Sequence, residues 1–136
     1  MSVTLYVSCT KSGLPSRRQW QSAIDAAGFD LVLDEFEWKS QSGFLGATFC
    51  GVKTGFELWV EDAKPLARQL HVSLPRDNDV IVSFVFGADK AGGDAAACAS
   101  AALARCACGL YFDEFSDDLL DGETAVHVAQ DSMKAD

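Results

Sequence analysis

The chain has 136 residues, 49% of them hydrophobic and 23% charged, the balance of one globular domain long enough to bury a core. Its formal net charge of −9 repels phosphate backbones and sets it against direct nucleic-acid binding. No apolar run reaches the ~18–20 residues that span a bilayer, and the first residues lack the basic and apolar parts of a signal peptide, so a cytoplasmic protein with no membrane partner is expected.

Residues 3–7 are largely β-branched or aromatic and predict a first strand. Ser16 and Gln19 have capping-box spacing, in which a hydroxyl and an amide satisfy backbone N–H groups reciprocally. Behind them Trp20, Ala23, Ile24 and Ala27 recur at i, i+3, i+4 and i+7, the apolar face of a helix that Gly28 can end. Residues 29–35 predict a second strand and residues 37–42 a polar connection. Residues 43–62 read as a hairpin whose turn runs from Gly51 to Gly55. In its second arm Phe56, Leu58 and Val60 alternate with Glu57, Trp59 and Glu61, giving one buried and one wetter face.

A short helix over residues 65–70 precedes a breaker at Pro75, and residues 80–86 are apolar enough for a central strand. Gly87, Gly92 and Gly93 punctuate the approach to a second main helix, capped by Asp94 and running over residues 95–107. Its expected packed face is Ala95, Ala99, Ala102, Leu103 and Cys106, and Gly109 stops it. Residues 110–112 form a brief last strand, an acidic loop follows, and residues 122–133 make a terminal helix with Ala125, Val128 and Ala129 inward. Runs of strands between helices favour an α+β fold over a parallel α/β one. The expected architecture is an antiparallel or mixed sheet of about five to six strands, with two main helices on one face and a short C-terminal helix. One domain covers residues 1–136.

The chain offers little material for catalysis. Its cysteines, at positions 9, 50, 98, 106 and 108, are odd in number, which argues against a disulfide framework and for small buried hydrophobes. Cys106 and Cys108 stand too close for the usual zinc spacing, and neither His71 nor His127 completes a site. The glycines at 87, 92 and 93 lack a phosphate loop's lysine and spacing, and Asp89 and Asp94 would repel an anion there. Counting from Asp117, the third position of a calcium loop is Leu119, which breaks the alternation of oxygen ligands. A run of carboxylates is weak material for glycosidase-type acid–base work, and Cys9 with a histidine is one of many chance nucleophilic pairings. No catalytic residue, metal or cofactor is expected, and the chain reads as a non-enzyme.

Charge is less evenly spread than composition implies. Residues 111–123 hold six carboxylates, Asp113, Glu114, Asp117, Asp118, Asp121 and Glu123, and no Lys or Arg. Such a surface attracts a basic protein and speeds the encounter. Its plainer use is a solvated face that aids solubility.

Several stretches carry a resemblance: WQSAIDAAGFDL (residues 20–31), SGFL (42–45), TGFE (54–57), VIVSF (80–84) and GLYFD (109–113). With the alanine-rich and terminal helices they cover residues 15–132, and together they resemble small bacterial immunity proteins. Those proteins are encoded beside polymorphic or contact-dependent toxins such as the toxins of type VI secretion. The resemblance implies an antitoxin that blocks a cognate toxin by stoichiometric binding and needs no catalytic residue. The six carboxylates would then steer a basic toxin surface, with Phe115, Leu119, Trp38 and Trp59 as candidate anchors. Similar sequences carry larger residues than the alanines of the second main helix, a departure that bears on packing or partner contact there. The alternatives are a small enzyme or ligand-binding domain with a pocket between sheet and helices, and an adaptor for some other basic protein.

Overall fold

The computed structural model describes residues 2–134, which form seven strands and four α-helices. The strands are β1 (Val3–Cys9), β2 (Leu31–Leu33), β3 (Gly43–Phe49), β4 (Val52–Asp62), β5 (Val80–Phe86), β6 (Leu110–Asp113) and β7 (Leu120–Asp121). The helices are α1 (Arg17–Ala26), α2 (Ala63–Leu70), α3 (Lys90–Cys106) and α4 (Gly122–Lys134). One sheet runs β2-β3-β4-β5-β1-β6-β7 with every neighbouring pair antiparallel, so the α+β expectation holds and β5 takes the centre. The strand beyond the expected six is β7, two residues inside the acidic stretch that pair with β6.

Alternation along the strands sends Leu5, Val7, Phe56, Leu58, Val82 and Phe84 to the face covered by α1, α3 and α4. The capping box forms as expected: Ser16 Oγ accepts the Gln19 N–H at 3.1 Å, and Gln19 Oε1 accepts the Ser16 N–H at 2.9 Å. Trp20 and Ile24 are fully buried, and the Trp20 indole N–H donates to the Ala99 carbonyl at 3.0 Å, fastening α1 to α3.

Helix α3 is capped by Asp89, not Asp94: Asp89 Oδ2 accepts the Gly92 N–H at 3.0 Å. Asp94 lies inside the helix and pairs with Lys90 at 2.8 Å. Gly87 precedes α3, whereas Gly92 and Gly93 sit within its first turns: a Cβ on Gly92 would stand 3.2 Å from the Gly55 carbonyl oxygen of β4, and one on Gly93 would stand 3.0 Å from the Phe86 ring of β5. Cys106 is only half-buried, whereas Ala95, Ala96, Ala101 and Ala104 are buried on nearly every side of the helix. The sheet below and α1 and α4 on the flanks leave little room for anything larger.

In α4 the inward residues are Ala125, Val126 and Ala129, while Val128 is 53% exposed. The stripe is centred between Val126 and Ala129, which turns Val128 about 100° away from it. The terminal helix starts where expected and extends one residue further, to Lys134; at 13 residues against 10 for α1 it is not the short element expected beside two main helices. The hairpin turn falls on Cys50 and Gly51, with φ of 49° and 80°, and Gly55 lies within β4. Cys9 and Cys98 are buried, but Cys50 and Cys108 are exposed at positive-φ positions, so the expectation of buried cysteines fails for that pair.

The second face of the sheet carries Tyr6, Ile81 and Phe112, and there α2 packs through Ala63, Leu66, Ala67 and Leu70. The helices are therefore divided between the two faces. The outer edge of β2 is closed by side chains of α1. Gln21 Nε2 donates to the Leu31 carbonyl at 2.7 Å, Gln21 Oε1 accepts the Leu33 N–H at 2.9 Å, and Arg17 donates to the Leu33 carbonyl.

Candidate functional site

Strand register sets out the second face in rows. Trp59 stands opposite Ser83, Ser83 opposite Tyr6, and Tyr6 opposite Phe112. The row on one side is Glu57, Val85 and Thr4, followed by Glu114, whose Oε1 accepts the Thr4 N–H at 3.2 Å. The row on the other side is Glu61, Ile81, Ser8 and Leu110, where α2 covers Ile81. The face thus has an aromatic middle and carboxylates on both margins.

Trp59 is 40% exposed, and its indole N–H donates to Glu57 Oε1 at 3.3 Å. Phe44, 67% exposed, lies on the next strand with its ring over Gly55. Tyr6 stacks on Phe112 with ring centres 5.0 Å apart. Burial pushes the Tyr6 phenol above its ordinary pKa, Glu114 and Glu61 add to the rise, and Thr4 opposes it. Ser83 is 4% exposed, and its Oγ has no hydrogen-bond partner among the described residues.

Two grooves flank Tyr6. One, of about 390 Å³, has Tyr6 and Phe112 on its floor, His71 on one wall and Asp113, Glu114 and Asp117 on the other. The second, of about 320 Å³, is lined by Thr4, Tyr6, Trp59, Glu61 and Ser83, with Leu66 of α2 closing it.

The acidic stretch divides into carboxylates with local tasks and carboxylates without them. Asp113 Oδ1 accepts the N–H groups of Phe115 and Ser116 at 2.9 and 3.0 Å and shapes the loop. Asp121 Oδ1 accepts the Thr124 N–H at 2.8 Å, which caps α4 and holds the Asp121 carboxyl below its ordinary pKa. Glu123 stands 3.9 Å from Arg105 and is the only one of the six paired with a basic side chain among the described residues. Asp117 and Asp118 are exposed, and their carboxylates accept no hydrogen bond among the described residues. Phe115 is 73% exposed, while Leu119 packs against the second-face cluster and ties the loop down.

The structure therefore brings Trp59, Glu114, Asp117 and Leu119 to one face of the sheet, while Asp113, paired by register with Leu5 of the opposite face, holds the loop backbone at the end of β6. Asp121 and Glu123 belong to the start of α4. Trp38 belongs to the helix side, stacked on Trp20 at 5.5 Å and donating to the Pro15 carbonyl, so it builds the core and does not join the others. Sequence reasoning missed Tyr6, Ser83 and Phe112. Ser83, the one hydroxyl in an apolar strand, was the available signal. Among the described residues no three His, Cys, Asp or Glu side chains converge as a metal site, and no helix is long and apolar enough to cross a membrane. Compared with known protein families, with characterised proteins and with solved structures, the chain matches none.

Proposed function

We propose that this chain is a cytoplasmic immunity protein that neutralises a cognate secreted toxin by direct, stoichiometric binding and performs no chemistry itself. The partner class comes from the resemblance of residues 15–132 to toxin-associated immunity proteins. The observation that carries the proposal is the second face of the sheet. Exposed aromatics at Trp59 and Phe44 lie among carboxylates, and Asp117 stands at its border with Asp118 next along the exposed loop, neither carboxylate accepting a hydrogen bond among the described residues. Free carboxylates at a border raise the rate of encounter with a basic surface, and half-exposed aromatics supply short-range affinity once it arrives.

Co-expression with the toxin encoded beside its gene tests this function. Growth is expected to be restored, and the two proteins are expected to co-purify in a fixed ratio; equal killing with and without the chain overturns it. Replacing Asp117 and Asp118 together by Asn is expected to slow association on the order of tenfold at low salt and to flatten the salt dependence. Stopped-flow binding measures this. An unchanged rate assigns the acidic loop to solubility.

A further inference from the structure

We propose that the groove over Ser83, between Trp59 and Tyr6, is a receptor for the guanidinium group of one arginine side chain presented by a protein partner. The toxin as source of that arginine rests on the function proposed above; the recognition itself is tested apart from it.

Three independent features converge on this groove. The first is Ser83, a hydroxyl buried to 4% exposure in the central strand whose oxygen finds no partner among the described residues. Native structures keep few such groups, because a buried polar atom left unpaired is costly, and one lining a groove is readily explained by a ligand that completes it. The second is the aromatic pair. Register sets Trp59 on one side of Ser83 and Tyr6 on the other, so an aromatic side chain lines the groove on each flank, a setting that suits a planar cation.

The third is charge. Glu61 lines the groove, Glu57 beside it accepts the Trp59 indole N–H, and both Glu61 and Glu114 act on the Tyr6 phenol. No basic side chain lines the groove among the described residues. A guanidinium suits this set better than an ammonium. It is flat and weakly hydrated, and its several N–H donors can reach a carboxylate and a hydroxyl oxygen together. A lysine would meet the charge but leave the stacking surface unused. Leu66 of α2 closes one end, so a side chain enters from the open side of the sheet.

The probe is N-acetyl-arginine-N-methylamide, titrated into the full chain while the Trp59 indole N–H resonance is followed by NMR. A saturable shift of Trp59 and of the Ser83 amide is expected, with a dissociation constant in the millimolar range. The uncharged citrulline analogue is expected to produce none. Ser83→Ala and Glu61→Gln should each weaken the arginine probe about fivefold or more, the size of one lost hydrogen bond. Ser83→Ala should leave the melting temperature unchanged or raised, since it removes an unpaired hydroxyl, and this separates lost recognition from lost folding.

Equal shifts with citrulline overturn the proposal, as do arginine shifts confined to residues 113–121 or full affinity in Ser83→Ala. Tighter binding of free arginine than of the blocked form overturns it too, because the groove would then serve an amino acid rather than a protein. Probe binding without toxin neutralisation overturns the immunity function alone. Neutralisation without probe binding overturns the arginine receptor alone.

Discussion

Gln21 acts as an extra residue of the sheet. Its amide meets the outward carbonyl of Leu31 and the outward N–H of Leu33, groups that would otherwise line an open edge. Gln21→Ala is therefore expected to destabilise the chain by about 1–2 kcal/mol and to increase dimers and larger species, read by urea denaturation and light scattering. Trp20 is the other residue on which much depends. It is fully buried, stacks on Trp38, meets Phe36 and Phe84 edge-on and donates to the Ala99 carbonyl. Trp20→Ala is expected to cost about 3–5 kcal/mol, while Trp20→Phe, which mainly gives up the hydrogen bond and part of the ring, costs less. Chemical denaturation of both variants checks the order; equal losses would show that the hydrogen bond and ring size matter little.

At the scale of elements, α3 explains its own composition. Alanines on nearly every side let the sheet, α1 and α4 approach one thin cylinder, so Ala99→Leu is expected to strain the packing by about 1–3 kcal/mol. Gly122 marks the tightest approach, since a Cβ there would stand 2.2 Å from the Arg105 Cα, backbone against backbone. Much of this architecture was legible in the sequence wherever the signal was local. The Ser16–Gln19 box, the period of α1, the alternation of Phe56 with Glu57 and the apolar run of β5 each need only their own neighbours. What was not legible depends on distant backbone. Gly92 reads as a breaker until β4 is seen beside it, β7 has no signal apart from β6, and Val128 turns outward only once α3 fixes the roll of α4. The same divide runs through the candidate site. The wetter side of β4 with Trp59 was visible, but that Ser83 lies between Trp59 and Tyr6 is a fact of register across three strands.

For the whole molecule, the buried thiols tie stability to alkaline pH. Burial first, with nearby Asp79 adding, pushes Cys9 up to about 11, and burial with Asp94 and Cys50 pushes Cys98 up to about 12. An unfolded thiol ionises near its ordinary value of 9.0, whereas these hold their protons beyond it when folded. Their contribution is thus complete below about pH 9 and is lost as pH rises toward 11 and 12. Urea midpoints should stay level as this limit is approached and fall above it. A thiol reagent used below that limit should modify exposed Cys50 and Cys108 first and reach Cys9 and Cys98 only on opening. Early labelling of Cys98 would contradict the packing of α3.

The borders of the sheet have a further consequence. At one end an amide and a guanidinium occupy the free ladder positions of β2, and at the other the sheet stops after two residues of β7. A foreign chain therefore finds only short lengths of vacant ladder, in β3 beyond β2 and in β6 beyond β7, on which to graft itself as an eighth strand. It has to land flat, and its alignment is dictated by which side chains drop into which hollows. Surface replacements at those hollows can retarget such an encounter while the scaffold beneath stays unaltered.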